Sequence, residues 1–325
     1  MEKKKTHKIC AYLMAAVLAL TSFTGCTKLE DGIYSDGTKM DTVPATDTAP
    51  SDASAVTQTP VQTQDTQTDQ STAVTEDTAE TTDIDDVVEP VVTGTSWDYS
   101  TLSTEGDGYG QGTHFDELNR PRGALRFNEG YSKYNAKAIE DTEEKVITLT
   151  FDQGYENGYT ASILDTLKEK GVKATFFVVA DYAERQPELV QRMIDEGHTI
   201  GNHSWHHYSM PELSVEEAQQ EIMELHEYML TNFGVCMNLF RPPKGEYSEQ
   251  SLAITGDLGY TTVLWSFAYA DWDTDNQPDP EESLNKLIER AHPGAIYLLH
   301  SVSETNSIIL GDFIDAMLAQ GYTFK

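Results

Sequence analysis

The sequence predicts an α/β fold in which repeated strand–helix units close into a deformed (β/α)7-type barrel. Three observations carry this reading. Seven short apolar runs alternate with amphipathic, capped stretches between residues 145 and 325. Such alternation implies a parallel sheet, right-handed crossovers and two covered faces. Five short motifs with acid–base or metal-binding side chains follow those runs: Thr150-Phe151-Asp152-Gln153-Gly154, His203-Ser204-Trp205-His206-His207, Arg241-Pro242-Pro243-Lys244-Gly245, Asp271-Trp272 and Leu298-Leu299-His300. Strand ends of this kind hold the active sites of α/β barrels and open α/β sheets. Finally, the composition before residue 97 cannot support a core, so the barrel is expected to follow a disordered N-terminal segment.

The elements follow in order. Residues 146–151 read as a strand. Residues 160–170 read as a helix, with Ile163, Leu164 and Leu167 on one face and Gly171 as its stop. A strand is expected at 174–179. A helix follows at 187–196, opened by Pro187 and closed by Gly197. A short strand comes at 198–202. Ser214-Val215-Glu216-Glu217 is a capping box that opens a long helix to residue 233, whose Ile222, Leu225 and Met229 stripe belongs to the core. The remaining strands are expected at 239–240, 262–267, 295–299 and 322–324. The remaining helices are expected at 248–258, 280–291 and 306–319.

The chain has 325 residues and a net charge of -32. No Lys or Arg occurs between Lys39 and Arg120. With no long basic face, nucleic acid is excluded as a partner. Lys3, Lys4, Lys5 and Lys8 form a positive region before an apolar stretch at 9–20 that is too short to span a bilayer well. Ser22-Phe23-Thr24-Gly25-Cys26 then resembles a bacterial lipobox, so 1–26 is expected to be a lipoprotein signal with Cys26 acylated. An ordinary signal peptide with an incidental cysteine is the alternative. Either reading exports the chain. The lipoprotein reading anchors it on the outer face of the cytoplasmic membrane, facing the cell wall.

Residues 27–96 read as a Thr/Asp/Gln-rich spacer that buries too little apolar area to offset ordering. It either extends the reach of the domain or serves as a simple tether. Residues 97–144 are expected to wrap the catalytic domain at 145–325. Only Cys236 remains after the signal region, so no disulfide is expected within the folded part, and Cys236 should be a small buried residue.

The chemistry rests on a few side chains. Asp152 ends an apolar run, where a carboxylate needs a partner or a task. His203 and His207 are spaced i, i+4. If that stretch turns helically, both imidazoles face one way and suit a divalent metal, with His206 off that face and structural. Arg241 precedes two prolines, so its guanidinium could be held rigidly to clamp a carboxylate bidentately; a loop anchor is the alternative. Asp271 and His300 form a candidate carboxylate–imidazole acid. His114, His198, His226 and His292 are read as structural.

Residues 97–325 resemble the polysaccharide deacetylase (NodB-homology) family, carbohydrate esterase family 4. Within it they are most similar to the delta-lactam-biosynthetic de-N-acetylases, which act on N-acetylmuramic acid of peptidoglycan. The matching residues are Phe151-Asp152-Gln153-Gly154-Tyr155-Glu156-Asn157-Gly158-Tyr159-Thr160, Gly201-Asn202-His203-Ser204, the run from Ala291 to His300, and Gln320-Gly321-Tyr322-Thr323-Phe324-Lys325. The resemblance implies Asp152 as catalytic base, Arg241 orienting it, Asp271 tuning the acid and His300 protonating the leaving amine. It implies His203 and His207 as metal ligands, with Tyr155, Asn157, Tyr247 and Trp272 meeting the substrate and the Tyr247 N–H as a candidate oxyanion donor.

Most of the family has Asp where this chain has Gln153. The muramic acid deacetylases resemble this chain in carrying an amide there, usually Asn. A divalent metal, zinc or similar, is therefore expected to be held weakly. The partner implied is a peptidoglycan glycan strand, and the protein is expected to be a monomer. The alternatives are a deacetylase of N-acetylglucosamine or another acetylated polysaccharide, and an inactive glycan-binding lipoprotein.

Overall fold

The computed structural model describes residues 97–325. The expectations for the signal, for Cys26 and for the spacer lie outside the described residues.

A 3-10 turn at Tyr99–Thr101 leads into β1 (Asp107–Gly108), α1 (Arg122–Tyr131) and β2 (Ala136–Lys137). The βα rhythm then begins with β3 (Val146–Gln153), α2 (Thr160–Lys170), β4 (Thr175–Val178), α3 (Ala180–Arg185), α4 (Pro187–Asp195) and β5 (Thr199–Asn202). It continues with α5 (Val215–Phe233), β6 (Leu239–Phe240), β7 (Glu246–Tyr247), α6 (Glu249–Asp257) and β8 (Thr261–Val263). The chain closes with α7 (Pro280–Glu289), β9 (Ala295–His300), α8 (Glu304–Ala319) and β10 (Thr323–Phe324).

Local chemistry sets the helix ends. Gly171 takes φ 67 to end α2, a left-handed conformation that costs glycine little. Ser214 and Glu217 form both halves of the capping box that opens α5. Asp279 accepts from the Glu282 N–H at the start of α7, with Pro280 at the first helical position.

The main sheet runs β10-β3-β4-β5-β6-β8-β2, with β9 also on β3, and every pair in it is parallel. The strand expected at 262–267 is split. Its first half pairs with β6 and β2 as β8. The chain then crosses over, and Phe267 bridges Tyr297 of β9. The Leu298 N–H donates to the Phe267 carbonyl at 2.8 Å. This crossing returns the sheet towards its first strand, which is the deformation of the barrel.

The core inside and beneath the sheet includes Leu149, Phe151, Phe176, Tyr297 and Phe313, with Phe151 stacked on Phe176 at 5.2 Å. Residues before 145 build a second cluster. Ala124, Phe127, Tyr134 and Ile139 pack there with Tyr247, Leu252 and Leu264. The extension also contributes β2 to the sheet. Cys236 is half-buried, with Sγ 3.9 Å from Nε2 of His226, rather than fully buried.

Candidate active site

Asp152 and His300 sit opposite each other at the C-terminal ends of the paired strands β3 and β9. Neighbouring strands lie about 4.8 Å apart, so a carboxylate and an imidazole are placed within reach of one bond. Both line a cleft of about 1020 Å³ with His203, His207, Tyr155, Trp265 and Trp272.

Asp152 is only 7% exposed, yet it is well partnered. Its Oδ1 accepts from Nη1 of Arg241 at 2.8 Å, and its Oδ2 lies 3.6 Å from Nε2 of His203. Burial alone would raise this carboxyl. The charges of Arg241, foremost, and His300, together with the Arg241 hydrogen bond, overcome that and hold it below its ordinary value. It is therefore ionised at neutral pH and has an acceptor ready for a proton.

Arg241 is fully buried. It touches Asp152 through one nitrogen rather than two, which corrects the bidentate expectation. Its Nε donates to the Val263 carbonyl at 2.9 Å and its Nη2 to the Leu264 carbonyl at 3.2 Å. Its guanidinium lies over the Phe177 ring at 4.2 Å. The end of β8 thus occupies the rest of the fork, so Arg241 ties the loop and the Asp152 carboxylate together.

His203 and His207 meet, but not on a helix. Ser204 and His207 take φ 70 and φ 62, so the segment is a loop with left-handed kinks. The kinks still bring the two rings to 4.9 Å. The His207 N–H donates to the Ser204 hydroxyl at 2.9 Å, which pins the loop. His203 Nδ1 donates to the Arg241 carbonyl at 2.7 Å, leaving Nε2 as a lone-pair donor towards the cleft. Burial, foremost, pushes both imidazoles down, His207 to about 4, so both are neutral at pH 7.

Gln153 is fully buried. Its Nε2 donates to the Ser301 hydroxyl at 2.6 Å. Its Oε1 has no hydrogen-bond partner among the described residues. An orphaned buried amide oxygen needs an explanation, and a cation would supply one. Among the described residues no group of three or more His, Cys, Asp or Glu could hold a metal. His203 and His207 line the cleft and Gln153 does not; two neutral imidazoles and the orphaned amide oxygen are the donors that a divalent ion would have here, without a charge of their own.

Asp271 lies in the loop after the Phe267 bridge rather than at a strand end. It is fully buried and its Oδ1 accepts from Nδ1 of His300 at 2.7 Å. Its Oδ2 accepts from the His300 backbone N–H at 2.8 Å and from Nδ2 of Asn306 at 2.6 Å. Burial would lower His300, but its ion pair with Asp271 and the field of Asp152 raise it above an ordinary histidine. His300 is thereby kept protonated to higher pH, as an acid requires. Replacing Asp271 with Asn should lower turnover by about a hundredfold or more, because the imidazole loses its orienting charge. The alkaline limb of the pH–rate profile should also move to lower pH, since the raised His300 falls back. An unmoved limb would contradict this assignment.

The four residues expected to meet the substrate divide. Tyr155 and Trp272 line the cleft and are 51% and 57% exposed. Asn157 instead ties its loop to the turn between β9 and α8 by donating to the Val302 carbonyl at 2.9 Å. Tyr247 does not line the cleft. Its ring packs against Phe127 and Tyr131, and its hydroxyl lies 3.5 Å from Asp107.

His206, expected to be structural, does line the cleft. Its Nδ1 is held by buried Glu221 at 2.6 Å, and its ring stacks on exposed Tyr208. The signal in the sequence was Glu221 itself, a carboxylate beside the apolar stripe of α5. Lys244 also lines the cleft, from inside a motif singled out for Arg241.

Residues 139–263 match the family described as Polysaccharide deacetylase. The peptidoglycan-N-acetylmuramic acid deacetylase PdaA of Bacillus subtilis is 46% identical over 206 residues, which span 63% of this chain and 78% of that protein. The peptidoglycan-N-acetylglucosamine deacetylase PgdA of Listeria monocytogenes is 32% identical over 204 residues, 62% of this chain but 42% of that protein. The solved structure of Bacillus subtilis PdaA, described as a family 4 carbohydrate esterase, aligns with a TM-score of 0.66 at 42% identity, covering 69% of this chain and 96% of that one. With this similarity and the paired Asp152–Arg241 and His300–Asp271 sets in one cleft, the chain belongs to the polysaccharide deacetylases of carbohydrate esterase family 4, hydrolases that act on the amide of acetylated glycans.

Proposed function

We propose that the protein removes the N-acetyl group from N-acetylmuramic acid in peptidoglycan. The observation that carries the chemistry is the opposition, across one strand pair, of an Asp152 held below its ordinary value and a His300 raised above its own by Asp271. The substrate rests on similarity to a muramic acid deacetylase. In this reading Asp152 takes the proton of the attacking water, and Arg241 keeps the carboxylate anionic until then. His300 gives its proton to the amine nitrogen as the carbon–nitrogen bond breaks, and Asp271 stabilises the imidazolium beforehand. Acetate and a free amine result.

A divalent ion held by His203, His207 and Gln153 would polarise the acetyl carbonyl and make water more acidic. A neutral ligand set should hold such an ion loosely. Gln153→Asp is therefore expected to tighten metal binding, measured by calorimetric titration, without a matching rise in turnover. The added carboxylate lies next to Asp152, and like charges that close oppose joint ionisation. Equal affinity in parent and variant would remove Gln153 from the ligand set.

The complete partnering of Asp152, Arg241, Asp271 and His300 argues against the binding-only alternative. The freed amine of muramic acid suits later closure of a delta-lactam with the lactyl group, and spore cortex is the wall in which that product is expected. Export, with acylation at Cys26 on the outer membrane face, is part of the same proposal. Incubating the full chain with peptidoglycan strands should release free acetate, lost on adding a chelator. No acetate from any peptidoglycan strand would defeat the proposal.

A further inference from the structure

Lys244 is the sole lysine or arginine among the described residues that line the cleft. Its backbone is unusual, with φ 59 and ψ 3 in the left-handed region that a side chain with a Cβ disfavours. The surroundings impose it. Two prolines precede Lys244, and the Gly245 N–H donates to the Pro242 carbonyl at 3.1 Å. The Gly245 carbonyl accepts from the Tyr109 N–H at 2.9 Å. Gly245 itself, at φ 71, leaves no room for a Cβ, which would stand 2.7 Å from the Trp265 ring.

The turn therefore fixes where the lysine starts, while its side chain is exposed. No ion pair of Lys244 occurs among the described residues. Two of the three carboxylates that line the cleft are engaged by arginines, Asp152 by Arg241 and Asp181 by Arg185 at 2.6 Å, and the third, Glu184, makes no ion pair with Lys244. Strain kept at such a place points to a task in binding.

The substrate chemistry supplies one, on the reading given under Proposed function. Muramic acid differs from glucosamine by the substituent on O3, which carries a carboxylate. The acetamido group is on the adjacent ring carbon. When that group lies between Asp152 and His300, the O3 substituent must fall against the cleft wall close by. We infer that Lys244 is a specificity residue that pairs with a carboxylate on the O3 substituent, either the lactyl carboxylate or one on an attached stem peptide.

Three substrates separate the sources: a muramic-acid oligosaccharide with a free lactyl carboxylate, the same compound capped as its methylamide, and its peptide-linked form. The full-length parent should favour a carboxylate-bearing form over the methylamide by about tenfold in kcat/KM. Lys244→Gln should erase that preference, mainly through KM, and Lys244→Arg should keep most of it. The form whose advantage vanishes identifies the carboxylate. The inference is overturned if the parent shows no preference, if Lys244→Gln keeps it, or if that variant lowers all three substrates equally. A parent that releases no acetate from any muramic substrate, while deacetylating a glucosamine oligomer, instead overturns the muramic acid reading on which this inference rests.

Discussion

Asp152→Asn should reduce acetate release by about a thousandfold or more while leaving the chain folded. The change removes the only carboxylate that faces His300 from the neighbouring strand. General base catalysis is worth about 10² to 10⁴ in rate, and the water would then lack its proton acceptor. Asn keeps the shape and retains an oxygen for Arg241, so circular dichroism should be unchanged. The buried guanidinium loses its counter-ion, and the variant should unfold at a lower temperature. A variant with more than a tenth of the parent rate would show that Asp152 is not the base.

Arg241→Met should produce the largest loss of stability. It strands a buried carboxylate and leaves the Val263 and Leu264 carbonyls without their donor. Breaking a buried ion pair from one side costs about 3–5 kcal/mol. For a domain of this size each kcal/mol moves Tm by about 2–4 °C.

The loss should depend on pH, measured with a chelator present. In the parent the folded Asp152 lies below the unfolded carboxyl, near about 3.9. Its contribution is therefore present above that pH and lost as pH falls further. In the variant, burial acts unopposed by Arg241, and the folded carboxyl rises. Its contribution is then lost as pH rises through the new value. The gap in Tm between parent and variant should widen from about pH 3 to pH 7. A constant gap would place the effect in packing alone.

Much of the frame was legible because local chemistry and periodicity agree there. The apolar run of β3 and the helix faces of α2 and α5 carry their own stop and start signals in Gly171, Ser214 and Glu217. The split of the 262–267 run was not legible. Its residues carry no turn signal, and only the competing carbonyl of Ile296 and the Phe267 bridge divide it. The short helix α3 was missed because it begins directly after β4 and carries no capping side chain.

At the site, residue types were legible and geometry was not. The i, i+4 spacing of His203 and His207 suggested a helix, but Ser204 and His207 adopt left-handed backbone that no local pattern announces. The single contact of Arg241 with Asp152 depends on two carbonyls that arrive from β8, far along the chain. His206 gained its partner from α5 in the same way. Tyr247 belongs to the second cluster because Phe127 and Tyr131 come from the segment before residue 145.

The most direct test is sugar-resolved mass spectrometry of a defined peptidoglycan strand after incubation with the full-length protein. The account predicts loss of the acetyl group at muramic acid residues, none at glucosamine residues, and no loss at either with Asp152→Asn. Acetyl loss confined to glucosamine, or equal loss with the Asn variant, would contradict it.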